Sequence, residues 1–214
     1  MSYKTIKEYA HASFVEKKSE FIGSIAPVKT NEEAIEFINR IKSENRKARH
    51  NVYAYILRDS NITRYSDDAE PQGTGGVPVL EVLRHEELFD VCVVVTRYFG
   101  GILLGTGGLT RAYSQACKMA VDASEIMEMH KARIVTVKCD YSLYGKVNTI
   151  ANDFGSKDIS ADFGETVSVS FMAKSDQIND IEAKIIDSTF GRCSFEVGGE
   201  IYGNFAQRTN VNNL

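Results

Sequence analysis

Residues 90–120 read DVCVVVTRYFGGILLGTGGLTRAYSQACKMA. The first ten, Asp90–Phe99, form an apolar run of strand length with no alternation, which predicts a β-strand buried on both faces. Five glycines then fall within nine residues: Gly100, Gly101, Gly105, Gly107 and Gly108. Beyond them Leu109, Ala112, Tyr113, Ala116, Cys117 and Ala120 recur at helical spacing and make one apolar face. A buried strand, a glycine turn and an amphipathic helix predict a layered domain of mixed α and β structure.

N-terminal to this unit, Phe14–Val28 reads as two short strands or one bent strand, stopped by Pro27. Thr30 and Glu33 have the spacing of a capping box. The helix that follows carries Ala34, Phe37, Ile38 and Ile41 on one face. Its exit is basic (Arg40, Lys42, Arg46, Lys47, Arg49), which suits the negative end of the helix dipole. Asn51–Arg58 is rich in strand formers, and Ile62–Tyr65 can pair back on it across Asp59-Ser60-Asn61. Residues 66–76, SDDAEPQGTGG, contain nothing apolar larger than Ala69 and must be a loop; their length and acidity mark a mobile functional loop. Val77–His85 predicts a short helix with Pro78 in its first turn.

After Ser124 the pattern restarts. Ala132–Tyr141 alternates, Leu143–Phe154 is helical, Lys157–Phe163 is extended, and Val167, Val169 and Phe171 mark a strand. Ile178, Ile181 and Ile185 mark a helix, and Cys193–Tyr202 is extended. This is the β-α-β-β-α-β order of a ferredoxin-like unit. The expected class is α+β, with domains at 1–128 and 129–214. The polar tail Gln207–Leu214 is expected to fray.

The 214 residues carry 25 Lys+Arg against 29 Asp+Glu, a net charge of −4. A generally basic protein that coats nucleic acid is not expected from this balance; a local basic patch remains open. Cys92, Cys117, Cys139 and Cys193 form no C-x-x-C pair and read as reduced structural thiols. The start lacks the apolar core of a signal peptide, and no run approaches the roughly 20 apolar residues of a membrane span. A soluble, cytoplasmic protein with no membrane partner is expected.

Three clusters carry candidate chemistry. Gly105, Thr106, Gly107 and Gly108 open a helix, whose free amides can hold an anion; Arg97 and Arg111 flank them as a potential clamp. The other reading is a glycine turn that packs a helix on a sheet. A P-loop and a dinucleotide fingerprint both fail on spacing. Asp67, Asp68 and Glu70 could ligate Mg²⁺, hold a basic group or serve as acid and base; the other reading is a solvated acidic loop, which Gly73, Gly75 and Gly76 could hinge over Arg97. Arg46, Lys47, Arg49 and His50 suit phosphate contacts or a solvated helix end. The four histidines lack metal-ligand spacing, so a zinc site is not expected; no metal or cofactor is assigned in the leading reading.

The stretch from Arg49 to Ala116 resembles the IMPACT family, including its bacterial YigZ/YvyE group. The resemblance rests on Arg49-His50-Asn51, Asp67-Asp68-Ala69-Glu70-Pro71, Gly73-Thr74-Gly75-Gly76 and Pro78-Val79-Leu80. It continues through Arg97-Tyr98-Phe99-Gly100-Gly101, Leu104-Gly105-Thr106-Gly107-Gly108-Leu109 and Arg111-Ala112-Tyr113. It implies an N-terminal α/β sandwich of the ribosomal-protein/GHMP-kinase type and a C-terminal ferredoxin-like domain similar to the last domain of elongation factor G. In eukaryotic relatives it implies control of translation through competition for an activator of a starvation-responsive initiation-factor kinase. For two-domain members it implies contact with RNA or the ribosome. The expected function is therefore a non-enzymatic, translation-linked binding protein for an anionic ligand, an RNA or ribosomal surface or a nucleotide phosphate, with a translation factor or regulatory protein as a further partner. The alternative is an enzyme on a small phosphorylated or peptidic substrate, with Asp67, Asp68 or Glu70 binding Mg²⁺ or acting as base. The oligomeric state is left open.

Overall fold

The computed structural model describes residues 2–206; the expectation for the tail lies outside them. Among the described residues it is a mixed α+β protein with two antiparallel sheets and five α-helices. The chain divides into two compact units, one of residues 3–127 and one from Glu128 onward.

In the first unit β1 (Ser2–Ile6) precedes a hairpin of β2 (Ala10–Glu16) and β3 (Ser19–Pro27). Its two-residue turn, Lys17-Lys18, is left-handed at both positions, with φ of 46° and 64°. That is the twist-matched hairpin turn, made here without glycine or asparagine. Next come α1 (Asn31–Glu44), β4 (His50–Leu57), β5 (Ile62–Ser66), α2 (Gly76–His85), β6 (Val91–Tyr98) and α3 (Thr106–Asp122). The sheet order is β2-β3-β6-β4-β5, antiparallel throughout.

β6 lies at the centre of this sheet, and the apolar residues of both its faces are buried. Val91, Val93 and Val95 pack with α2 and α3 in one core. Cys92 and Val94 pack with Phe37, Ile38 and Ile41 of α1 in a second core on the opposite face. A strand covered on both sides has no solvent face to reserve for polar residues, which is why its sequence does not alternate. The capping box forms with one variation. Thr30 Oγ1 accepts from the Glu33 amide at 3.2 Å, while the Glu33 carboxylate reaches back to the amide of Lys29 at 2.6 Å instead of that of Thr30. α3 starts at Thr106, so Gly107 and Gly108 are its first-turn residues and not part of a preceding loop.

The second unit runs β7 (Ile126–Cys139), α4 (Tyr141–Asp153), β8 (Lys157–Phe163), β9 (Val167–Lys174), α5 (Ile178–Thr189) and β10 (Ser194–Asn204). β10 pairs with β7, β7 with β9 and β9 with β8, all antiparallel. Its own core joins Val135, Val137, Val169 and Phe171 to Val147, Ile150, Ile181 and Ile185. Among the described residues no helix is long and apolar enough to cross a membrane.

Gly23 of β3 sets the distance between sheet and α3. A methyl group there would lie 2.2 Å from the carbonyl oxygen of Ala116. Gly23→Ala is expected to cost about 3 kcal/mol in urea unfolding, because backbone and not a flexible side chain must yield.

Candidate functional site

Antiparallel order brings four connections to one edge of the first sheet. The β2–β3 turn, the α1–β4 loop, the β5–α2 loop and the β6–α3 loop all leave from the same strand ends. Register places Phe21, Arg97 and His50 on one rung, on β3, β6 and β4 respectively. The sequence-predicted residues therefore do come together, but with different roles.

Glu70 is the centre. It is 8% exposed, and its Oε1 accepts from Arg97 Nη1 at 2.6 Å and from the Tyr113 hydroxyl at 2.7 Å. His50 Nε2 stands 3.9 Å from the same oxygen. Arg97 is 5% exposed, and its guanidinium lies against the rings of Phe21 and Phe99. The paired clamp expected of Arg97 and Arg111 is not what the geometry presents. Arg97 is engaged by Glu70 below the surface, while Arg111 is exposed on the first turns of α3. Burial, and secondarily the adjacent Glu70 carboxylate, push the Tyr113 hydroxyl well above the usual phenol range, so it stays protonated and donates.

The three acidic residues do not converge on a common point. Asp67 accepts from the backbone amides of Gly73, Gly75 and Gly76 at 2.8–2.9 Å. Burial alone would raise its pKa, but these amides together outweigh burial and hold the carboxyl below its ordinary value. Asp68 binds Lys42 Nζ at 2.7 Å and the Asn51 amide at 2.6 Å. Its carbonyl oxygen lies 2.9 Å from His50 Nδ1; a carbonyl can only accept, so that nitrogen carries the proton. Among the described residues no group of three or more His, Cys, Asp or Glu side chains gathers to hold a metal. Asp67, Asp68 and Glu70, which could have shared a Mg²⁺ ion, instead each engage separate partners.

The loop they hold is closely packed: a methyl group at Gly75 would meet the Val52 side chain, and one at Gly76 the Ser66 backbone. Asp68 and Ala69 occupy left-handed conformations at φ of 43° and 68°. Such strain in two adjacent non-glycine residues persists only where the surroundings enforce it.

Around this buried centre the surface is cationic. Lys17, Lys18, Arg46, Lys47, Arg49 and Arg111 are all exposed. The Lys18 backbone lies directly against Gly100, where a methyl group would come within 1.9 Å. The Tyr98 hydroxyl donates to Asn45 Oδ1 at 2.9 Å and ties the α1–β4 loop to the end of β6. Phe99, Ile102 and Leu103 project from the β6–α3 loop, Leu103 with 82% exposure. Gly105, at φ 74°, precedes α3 with no side chain capping the amides of Thr106, Gly107 and Gly108. Lys17, Lys18 and Tyr113 were not singled out from the sequence as site residues. A lone tyrosine among Ala and Cys on a helix face was the available signal, since a buried hydroxyl needs a partner.

Glu70→Gln leaves the Arg97 charge buried without its counter-ion and is expected to cost about 3 kcal/mol in urea unfolding. Adding Arg97→Met should reduce that cost. A carboxyl held below its ordinary value stabilises the fold fully above about pH 4, and the contribution is lost as pH falls through the native value. Thermal unfolding between pH 5 and pH 2 should accordingly depend less steeply on pH in Asp67→Ala, which should also be about 2 kcal/mol less stable at neutral pH.

The Impact N-terminal domain model matches residues 17–121 of the chain. IMPACT family member YvyE of Bacillus subtilis is 44% identical over 68% of this chain and 68% of its own length. IMPACT family member YigZ of Escherichia coli is 31% identical over 82% of this chain and 87% of its own. A crystal structure of an hypothetical protein, 28% identical, superposes with a TM-score of 0.60 over 92% of this chain and 97% of that one. The rung of Phe21, Arg97 and His50 and the loops around it lie inside the matched region, and the chain belongs to the IMPACT family.

Proposed function

We propose that the protein is a translation-linked binding protein whose first unit presents a cationic pole to an RNA or ribosomal surface. In this reading the first unit is of the ribosomal-protein/GHMP-kinase type, and the second is a ferredoxin-like module. The β10-β7-β9-β8 sheet order supports the latter assignment.

One observation carries the proposal: how charge is divided at the pole. Among the described residues Lys17, Lys18, Arg46, Lys47, Arg49 and Arg111 make no ion pair. The acids of the β5–α2 loop are turned inward, Asp67 to amides, Asp68 to Lys42 and Glu70 to Arg97. Glu16, Glu20 and Glu44 border the pole but form no ion pair with its cations. A protein of net charge −4 thus carries an outward positive field at one end, flanked by free helix amides and exposed Phe99. Neutralised phosphates and an aromatic face are what single-stranded nucleic acid uses. The family resemblance to regulators of translation supports RNA over a small phosphorylated ligand.

The test is binding of a fluorescein-labelled single-stranded RNA across a range of salt. The wild type should lose affinity steeply with salt. Lys18→Ala, Arg49→Ala and Arg111→Ala combined should lower affinity at least tenfold and flatten the salt slope by roughly 0.7 for each phosphate left without its cation. These exposed changes should leave stability within about 0.5 kcal/mol. Unchanged affinity and slope in the triple variant would refute the assignment. Arg97 is unsuited to this test, since removing it strands Glu70.

A further inference from the structure

The second unit contains a paired-thiol arrangement that the function above does not use. β10 and β7 pair with Ser194 opposite Lys138 and Phe195 opposite Val137. Carried one residue further, this register sets Cys193 opposite Cys139. Directly opposed residues of an antiparallel pair have Cα atoms about 4.5–5.5 Å apart, within the roughly 4.4–6.8 Å that a disulfide spans. Cys193 also packs against the same apolar cluster that contains Cys139. The two differ in access: Cys139 is buried and Cys193 half-exposed. The remaining thiols, Cys92 and Cys117, are buried in the other unit's two cores, on opposite faces of its sheet.

We infer that Cys139 and Cys193 are an oxidant-responsive pair that closes to a disulfide and locks β10 onto β7. Both thiols are free in this structure. Burial, and then the neighbouring Cys193 sulfur, hold the Cys139 thiol up at about 11, so it is a poor first nucleophile. Cys193 is the thiol that meets a peroxide. Its sulfur attacks one oxygen, the O–O bond breaks, and Cys193 becomes a sulfenic acid with release of water. Cys139 then gives up its proton and attacks the Cys193 sulfur, and the sulfenic oxygen leaves as a second water. Two thiols are oxidised by two electrons, and one peroxide is reduced to two waters.

The experiment treats the reduced full-length protein with hydrogen peroxide, blocks remaining thiols with iodoacetamide and digests it with trypsin. Cleavage after Lys138 and Arg192 isolates residues 139–146 and 193–208. The expected product is these two peptides joined, two hydrogens lighter than their sum, in most of the oxidised protein, with Cys92 and Cys117 alkylated only after unfolding. The oxidised protein should also unfold at higher urea than the reduced one. Cys193→Ser, at a half-exposed position that tolerates the change, should abolish the joined product and leave Cys139 unoxidised. Cys193 recovered as sulfinic acid beside an alkylatable Cys139 would overturn the inference. So would oxidation of Cys139 to the same extent in Cys193→Ser, or a joined product that forms only after unfolding.

Discussion

The contact between Glu70 and Arg97 joins the loops that gather at one end of the first unit's sheet. A single carboxylate oxygen meets a guanidinium from the central strand and a hydroxyl from α3, with an imidazole from β4 nearby. Removing two charges from water offsets much of their mutual attraction, so the pair is a weak source of net stability. What it supplies is arrangement. With the β5–α2 loop closed over β6 neither charge is left stranded, and the same carboxylate ties α3 in through the Tyr113 hydroxyl. The strained backbone at Asp68 and Ala69 is held by the same closure.

The same end of the sheet shows how an acidic protein can present a positive patch. Net charge sums over the whole chain, whereas a partner senses what reaches the solvent. The acids of one loop are withdrawn into hydrogen bonds with amides, a lysine and an arginine. The cations of two neighbouring loops and of the start of α3 are left outward. Position in the fold, not composition, sets the sign of the local field.

Much of the architecture was legible in the sequence because it depends on local or periodic signals. The unalternating run of β6, the apolar stripe of α3, the Thr30–Glu33 box and the restart after Ser124 each report a constraint carried by adjacent residues. The site was legible as an address but not as an arrangement. The segments around Glu70 and Arg97 were marked, yet Arg97 read as an open anion ligand and the acidic loop as mobile. An ion pair between residues 27 apart in sequence is a product of tertiary closure, and no spacing rule announces it. Likewise nothing local distinguishes three carboxylates that share a cation from three that point to separate partners. The lysines at the β2–β3 turn gave no turn signal, since Asn-Gly or Asp-Gly is what such a turn ordinarily displays.

That turn has a wider consequence. Holding a side-chain-bearing residue in the left-handed region costs about 1–2 kcal/mol, and here two consecutive lysines bear that cost. Asparagine followed by glycine would relieve it and make a sturdier hairpin. A thermostabilised version of this protein, selected for resistance to heat alone, would be drawn toward that exchange. It would discharge the tip of the hairpin without disturbing the core, gaining robustness while removing two of the cations on which the proposed RNA contact rests.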